Sequence, residues 1–209
     1  MEKQKKFWSR YASIYTRFVT NGRGAKHAYA EMKKEIAHLL TKEMNVLELA
    51  AGPGILSREI ALSCKHLTAT DFSETMIKEA KKADAPSNVQ FEIADATELF
   101  YADDTFDAVV IANALHIMPA PDKALKQIRR VLKRDGILIA PTFTREDVRS
   151  KALERFMEVF GFRTFSKWTP HTYQQYLESQ GWEICMAEII KGHNFPISFL
   201  AARNQKDTK

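Results

Sequence analysis

From about residue 44 the chain alternates short apolar runs with amphipathic segments, and this alternation constrains the fold more than any other feature. Short runs rich in β-branched residues are typical of buried strands, whereas longer amphipathic segments are typical of helices that cover a sheet. A repeated strand–helix order is built as a parallel sheet with helices on both faces. The predicted strands are 44–50, 66–70, 89–94, 106–112 and 136–142, and the predicted helices are 54–64, 74–83 and 122–134. In the last of these helices Asp122 is the predicted N-cap and Gly136 the predicted stop signal.

The alternation ends near the C-terminus. Helices are predicted over 146–160 and 169–180, the second with Pro170 at its first position. Strands are predicted over 182–190 and 195–202, and the short turn between them indicates a hairpin. The complete prediction is an α/β, doubly wound, mostly parallel seven-stranded sheet with an antiparallel last strand and helices on both faces.

The first 43 residues have a helical pattern of their own. Two apolar stripes at helical spacing are separated by a turn signal at 21–24, where two glycines occur. We therefore expect an N-terminal helical lid over 1–43 and an α/β domain over 44–209. The helical segment at about 144–170 is expected to form a cap inserted into that domain.

The charge of the chain does not favour a nucleic-acid partner. The formal net charge is +5, with a calculated pI of about 9.1. The excess of basic residues lies in the two ends of the chain, at Lys3, Lys5, Lys6, Arg10, Arg203, Lys206 and Lys209. A nucleic-acid-binding protein would concentrate this charge on a folded face. We therefore expect no nucleic-acid partner.

Cysteine and histidine usage excludes further classes. Cys64 and Cys185 are far apart, and the six histidines form no metal-binding motif, so no metal is expected. No segment is apolar enough to span a membrane, and no signal peptide is evident. The expected location is the cytoplasm. The sequence leaves the oligomeric state open.

The residues that follow the predicted strands carry the functional signal, because ligands of such sheets bind beyond the carboxyl ends of the strands. Gly52 and Gly54 follow the first strand, where small residues let a ligand approach a helix N-terminus. Asp71 ends the second strand, where a carboxylate can accept both hydroxyls of a ribose. Asp95 ends the third strand, where it can meet an adenine ring. Each feature also has a structural explanation, namely a tight turn for the glycines and a helix cap for the acids.

The combination resembles the class I S-adenosylmethionine-dependent methyltransferases, particularly the small-molecule branch that includes the quinone-biosynthesis C-methyltransferases. The likeness covers roughly residues 7–202. It rests on the segments 48–54 (ELAAGPG), 70–73 (TDFS) with Met76, 94–96 (ADA), 106–110 (FDAVV) and 114–116 (ALH), and on the closing hairpin. The implied cofactor is S-adenosyl-L-methionine.

The resemblance also implies roles for individual residues. The glycine-rich loop meets the methionine part of the cofactor, the acid matching Asp71 holds the ribose, and the pair matching Asp95 and Ala96 meets the adenine. The implied cofactor-binding residues are Tyr11, Tyr15, Glu48, Ala50, Gly52, Gly54, Asp71, Phe72, Met76, Asp95, Ala96 and Asn113. Phe72 and Met76 flank the adenine, while Tyr11 and Tyr15 belong to the lid.

Ala50 is a departure from the family pattern, which has glycine at this position. The substitution is minor unless the backbone at this residue needs a positive φ. A second difference is the absence of an Asn/Asp-Pro-Pro-Tyr/Phe motif after the fourth strand, where the chain reads ANALH at 112–116. This absence disfavours planar exocyclic amines as methyl acceptors.

Two alternatives remain at this point. The first is an NAD(P)-binding oxidoreductase, whose GxGxxG fingerprint would need a third glycine where this chain has Ser57. The second is a module that binds S-adenosylmethionine without turnover. Glu48 and the final hairpin favour the methyltransferase interpretation over the first alternative.

For a methyltransferase, His116 is the candidate general base because it follows the fourth strand. The alternative is a neutral histidine that only packs in its loop. The methyl acceptor is expected to be a small molecule of partly apolar or aromatic character. The residues expected around it are Phe156, Phe160, Phe162, Phe165 and Trp168, together with the aromatic N-terminal stripe.

Overall fold

The computed structural model describes residues 23–145, 164–191 and 196–205. Its helices are α1 (Arg23–Leu39), α2 (Ser57–Ala61), α3 (Glu74–Ala80), α4 (Pro121–Val131) and α5 (Pro170–Ser179), with a 3₁₀ turn at Leu115–Ile117. Its strands are β1 (Asn45–Leu49), β2 (His66–Asp71), β3 (Val89–Ile93), β4 (Phe106–Ile111), β5 (Leu132–Ile139), β6 (Thr142–Phe143), β7 (Glu183–Ile190) and β8 (Ile197–Arg203).

All eight strands form one sheet, in the order β3-β2-β1-β4-β5-β8, with β6 and β7 also paired to β8. Strands β1 to β5 are parallel, and β8 is antiparallel to β5, β6 and β7. The order reverses between β1 and β4, which makes their carboxyl ends the topological switch point of the sheet. The doubly wound sheet and its antiparallel hairpin are therefore confirmed.

The count of eight strands differs from the predicted seven because the fifth predicted strand is interrupted. Ala140 and Pro141 separate β5 from β6, and both segments pair with β8. Proline has no N–H to give to a ladder, so the pairing stops there and resumes at Thr142. Counted as one interrupted strand, β5 and β6 restore the predicted number.

Helices pack on both faces of the sheet, because alternate strand residues point in opposite directions. Leu47 and Val109 belong to a core cluster with α4 and α5. Val46 and Ala108 belong to a second cluster with α1 and α2. Each face is therefore closed by its own apolar layer, while the carboxyl ends of the parallel strands stay open to loops.

Helix α1 is part of one of these layers. Its residues Met32 and Ile36 are fully buried and share a cluster with Val46 of β1. Residues 1–22 lie outside the described residues, and with them the remainder of the predicted lid. The same holds for most of the predicted cap, since 146–163 is not described.

Several predicted helix boundaries were wrong. Pro121 occupies the first position of α4 and Ala120 its N-cap, so Asp122 lies inside the first turn. Gly136 does not end α4, because the chain passes directly into β5 at Leu132. A Cβ at Gly136 would lie 2.9 Å from the Lys133 carbonyl oxygen, so this close approach explains the glycine. Helix α2 begins only at Ser57, because turns occupy residues 52–56.

Candidate functional site

Three loops meet at the carboxyl edge of the sheet. The strand register aligns the end of β1 with the ends of β2 and β4, since Leu49 pairs with both Thr70 and Ile111. Asn113, just after β4, donates its backbone N–H to the Pro141 carbonyl at 2.8 Å and so reaches the end of β5. The residues predicted from sequence after β1, β2 and β4 are thus held at one edge.

The glycine-rich loop after β1 has an unusual backbone. Ala50, Gly52 and Gly54 have φ values of 54°, 55° and 73°, all in the left-handed region. A Cβ at Gly52 would meet no atom of the described residues within 4 Å, so these residues leave the space beside Gly52 open. A Cβ at Gly54 would meet Ala80 and Phe91 at 3.2 Å, so this glycine is required by packing against α3 and β3.

The Ala50→Gly variant is expected to be more stable than the natural chain. Alanine at positive φ costs about 1–2 kcal/mol, whereas glycine adopts this conformation freely and loses about 0.5–1 kcal/mol through its unfolded state. The net gain of about 0.5–1 kcal/mol is measurable by denaturant unfolding. Ala51→Gly is the matched control, because Ala51 is not at positive φ and should only lose stability. An Ala50→Gly variant that is less stable than the natural chain would contradict the positive φ of Ala50.

Asp71 ties the glycine-rich loop to the end of β2. Its Oδ2 accepts the backbone N–H of Gly52 at 2.9 Å, and its Oδ1 accepts that of Ser73 at 2.8 Å. Burial raises the pKa of Asp71 to about 6 despite these two N–H donors. Ser73, not Asp71, is the N-cap of α3, because its side chain accepts the N–H of Met76. Asp71 is therefore positioned to orient the loop directly.

Glu48 is a buried acid with unused hydrogen-bonding capacity. It is 2% exposed, and its Oε2 has no hydrogen-bond partner among the described residues. Burial raises the pKa of Glu48 to about 8, and the negative charge of Asp71 adds to the shift. The nearby Ser57 hydroxyl opposes the shift, although it completes no hydrogen bond with Oε2. The free protein therefore holds a protonated carboxyl here at neutral pH.

The stability of the ligand-free protein is expected to fall as the pH rises from 6 to 8. The folded pKa of Glu48 lies above its ordinary value of 4.5, so the folded state binds the proton more tightly and loses this advantage as pH rises through about 8. The contribution of Glu48 to the slope should approach about 1.4 kcal/mol per pH unit. Glu48→Gln should remove this pH dependence. The control Glu98→Gln, at an exposed position, should retain it. Urea unfolding at pH 6, 7 and 8 measures the slope, and equal slopes for Glu48→Gln and the natural chain would contradict the assignment.

Asn113 is the second buried group without partners. It is 8% exposed and has a φ of 52°, and neither Nδ2 nor Oδ1 makes a hydrogen bond within the described residues. A buried amide without hydrogen bonds costs about 1–3 kcal/mol of stability. Such amides are therefore expected where a bound ligand supplies the missing hydrogen bonds.

Asp95 and Ala96 follow β3, Phe72 follows β2 and Met76 lies in α3, while their contact with an adenine stays a prediction. Asp95 is half-buried, and its Oδ1 accepts both the backbone N–H and the hydroxyl of Thr97. This carboxylate therefore stabilises its own turn. Ala96 and Met76 are buried, and Phe72 is half-buried beside Asp71.

His116 lies in the 3₁₀ turn after β4, where the sequence placed it. It is 5% exposed, and its Nδ1 lies 2.8 Å from the Thr142 hydroxyl. Burial lowers the pKa of His116 to about 4. A neutral imidazole with so low a pKa is a weak general base.

The remaining candidates are placed less completely. Tyr11 and Tyr15 lie outside the described residues, as do Phe156, Phe160 and Phe162. Phe165 is exposed, whereas Trp168 stacks on Tyr176 with ring centroids 4.8 Å apart. Trp168 packs against the core, so its position is explained without an acceptor.

Arg58 is a contributor that sequence reasoning missed. Its guanidinium donates to the carbonyl of Gly54 at 2.5 Å and to that of Ala80 at 2.7 Å. It thereby fastens the glycine-rich loop to the end of α3. No sequence pattern distinguishes this arginine from a solvated one at the start of a helix.

A concavity elsewhere in the described surface lies away from this edge of the sheet. It is an open depression of about 500 Å³ between α5 and β7, lined by Gln174, Glu178 and residues 182–187. None of these residues follows the carboxyl end of a parallel strand. The described residues contain no cluster of three or more potential metal ligands, and no described helix is long and apolar enough to cross a membrane.

The part of the chain that forms this carboxyl edge of the sheet is similar to known proteins. Residues 47–140 match the methyltransferase domain family model. The chain is 41% identical over 100 residues to a demethylmenaquinone methyltransferase from Clavibacter sepedonicus, covering 47% of this chain and 41% of that protein. It is 32% identical over 133 residues to a ubiquinone/menaquinone biosynthesis C-methyltransferase from Rickettsia bellii, covering 59% and 53% respectively. The chain therefore spans about half the length of these relatives.

A solved structure extends the likeness over the fold. An S-adenosylmethionine-dependent methyltransferase from Thermotoga maritima superposes with a TM-score of 0.76 at 19% identity, covering 95% of this chain and 98% of that one. Residues 47–140 thus resemble a methyltransferase domain, and the chain shares the fold of the class I, S-adenosylmethionine-dependent methyltransferases. Within that class it is similar to the quinone-biosynthesis C-methyltransferases. The class predicted from sequence is confirmed, and the nicotinamide alternative finds no support.

The carboxyl edge of the sheet, where the three loops meet, fits the cofactor of this class, S-adenosylmethionine. Its methionine part carries an ammonium and a carboxylate, and the site offers the unpartnered Oε2 of Glu48 and the unpartnered amide of Asn113. The open space beside Gly52 lets such a ligand approach the main chain. These orphaned buried groups and the absence of a side chain at Gly52 match the needs of the ligand.

Proposed function

We propose that this protein transfers a methyl group from S-adenosylmethionine to a small-molecule acceptor. The observation that carries the proposal is that two buried polar groups, Glu48 Oε2 and the Asn113 amide, have no hydrogen-bond partner within the described residues. They lie in β1 and just after β4, two paired strands whose carboxyl ends share one edge of the sheet with Gly52. The cofactor supplies an electrophilic methyl group on a sulfonium sulfur. The protein contributes binding, orientation and exclusion of water, and orientation alone can supply about 7–11 kcal/mol.

Each residue has a proposed task in holding the cofactor. Glu48 and Asn113 meet the methionine part, and Gly52 and Gly54 line its path along the main chain. Asp71 orients the loop through Gly52 and accepts the ribose hydroxyls with its remaining lone pairs. Asp95, Ala96, Phe72 and Met76 surround the adenine. Tyr11 and Tyr15, in the proposed lid over 1–43, close over the site.

The proposed acceptor is partly apolar or aromatic. One relative is named a demethylmenaquinone methyltransferase and the other a ubiquinone/menaquinone biosynthesis C-methyltransferase. Phe165 is an exposed ring next to the His116 turn, and its backbone N–H donates to the His116 carbonyl at 2.9 Å. The proposed cap over 144–170 would provide the rest of the acceptor pocket around it. We place the reaction in the cytoplasm, where the free thiols of Cys64 and Cys185 would remain reduced.

The test is transfer of labelled methyl groups from S-adenosylmethionine to a panel of acceptors: hydroquinones, phenols, small amines, bulk protein and RNA. We expect label in a phenolic or hydroquinone acceptor and formation of S-adenosylhomocysteine. Label only in protein or RNA would overturn the small-molecule assignment. Binding of S-adenosylhomocysteine without transfer to any acceptor would favour the non-catalytic module.

A further inference from the structure

The second buried polar contact at this edge joins His116 to Thr142. Thr142 begins β6 and is 1% exposed, while His116 lies in the turn after β4. The 2.8 Å separation between Nδ1 and Oγ1 is that of a good hydrogen bond. Two elements that are 26 residues apart in sequence are therefore joined at the place where the acceptor is proposed to lie.

His116 is held through its backbone as well as through its ring. The His116 carbonyl accepts the backbone N–H groups of Phe165 and Ser166 at 2.9 and 3.0 Å. The ring also meets Phe143 edge to face, with centroids 5.8 Å apart. The side chain therefore has a defined orientation before any ligand binds.

The hydrogen-bonding capacity of the Thr142 hydroxyl indicates which ring nitrogen of His116 carries the proton. Within the described residues, His116 is the sole partner of the Thr142 hydroxyl, and Nε2 of His116 makes no hydrogen bond. If Nδ1 carried the proton, the buried hydroxyl hydrogen would have no acceptor, at a cost of about 1–3 kcal/mol. If the hydroxyl donates to Nδ1, both of these groups are satisfied and the ring proton lies on Nε2, which is not among the fully buried unpartnered atoms of the described residues and can therefore meet water or a ligand.

We propose that Thr142 is a positioning residue whose hydroxyl donates to Nδ1 of His116, so that Nε2–H is presented to the methyl acceptor as a hydrogen-bond donor. This inference rests on the proposed methyl transfer and replaces the general-base role for His116. Burial keeps the imidazole neutral, because it lowers the pKa of His116 to about 4. A neutral donor stabilises an oxyanion without protonating it.

A neutral N–H donor suits an acceptor whose oxygen carries negative charge, and a phenolate or an enolate is such an acceptor. Its oxygen receives the Nε2–H hydrogen bond, and the electron pair of its conjugated carbon forms the new bond to the methyl carbon. The electron pair of the broken S–CH₃ bond stays on sulfur, leaving S-adenosylhomocysteine. The methylated carbon then loses its proton to water, which restores the conjugated ring or enolate.

The tautomer can be measured without any acceptor. ¹⁵N NMR of histidine-labelled protein, with the His116 signals assigned by their loss in His116→Gln, should show a protonated Nε2 and an unprotonated Nδ1. Thr142→Ser should keep this pattern and Thr142→Val should disturb it. A protonated Nδ1 in the natural chain would overturn the inference, while leaving the proposed methyl transfer untouched.

Turnover provides the second readout with the acceptor found in the labelled-methyl assay. Glutamine can donate a hydrogen bond but cannot act as a base, so His116→Gln should keep kcat within about tenfold and His116→Leu should lose at least about 100-fold. Thr142→Val should lower kcat about tenfold with KM for S-adenosylmethionine unchanged, and Thr142→Ser should restore it. Equal losses in His116→Gln and His116→Leu would contradict the donor role.

Discussion

The Gly52→Ala variant is expected to fold and yet to bind S-adenosylhomocysteine at least about 100-fold more weakly, a loss of about 2.7 kcal/mol. Within the part of the chain that the structure describes, a Cβ at this position meets no atom within 4 Å, so it does not disturb the packing there. It would instead occupy the space in which the ligand approaches the main chain. The positive φ of 55° adds a stability cost of about 1 kcal/mol. Isothermal titration calorimetry measures the first effect and urea unfolding the second.

Gly181→Ala separates these two effects. Gly181 has a φ of 79° and follows α5, and a Cβ there would make only an ordinary contact with Arg129 at 3.4 Å. This variant should lose a similar amount of stability and keep its affinity for S-adenosylhomocysteine. Unchanged affinity in Gly52→Ala would remove the glycine-rich loop from the proposed cofactor site.

The Asp71→Asn variant is expected to bind S-adenosylhomocysteine about 30- to 100-fold more weakly, or about 2–2.7 kcal/mol. Both carboxylate oxygens accept backbone N–H groups, from Gly52 and Ser73. An asparagine must set its own N–H₂ against one of these donors, which disturbs the loop and leaves a buried donor unsatisfied. Asp107→Asn is the matched control, because Asp107 also accepts a backbone N–H, from Asn45, but lies at the start of β4. It should cost stability and leave the affinity unchanged.

The ribose contact of Asp71 can be separated from its effect on the loop. The natural chain and Asp71→Asn are each titrated with S-adenosylhomocysteine and with its 2′,3′-dideoxy analogue. If Asp71 accepts the ribose hydroxyls, removing them should weaken binding to the natural chain much more than binding to the variant. Equal losses in both proteins would restrict Asp71 to orienting Gly52.

The fold was predictable because it depends on patterns that are local in sequence. Buried parallel strands and covering helices have different apolar periods, and the closing hairpin follows from two strands joined by a short turn. The errors have local causes too. Pro121 rather than Asp122 begins α4, and Pro141 interrupts a run that otherwise resembles one strand.

The site was predictable only where topology determines position. Residues after β1, β2 and β4 must meet at one edge of a parallel sheet, so Gly52, Asp71 and Asn113 could be placed from the sequence. The contacts of Arg58 and Thr142 depend on side-chain directions between elements distant in sequence, which no spacing encodes. The sequence alone presents Ala50 as a minor departure from the glycine of the family pattern. The positive φ of Ala50 shows that glycine is the favoured residue at this position.

The decisive measurement compares the stability of the protein with S-adenosylhomocysteine and with NAD, each titrated to saturation in a thermal unfolding assay. A ligand that binds only the folded state at about 100 times its Kd adds about 2.7 kcal/mol. We expect this stabilisation with S-adenosylhomocysteine, its loss in Gly52→Ala, and no change with NAD. Stabilisation by NAD together with none by S-adenosylhomocysteine would contradict the proposed function.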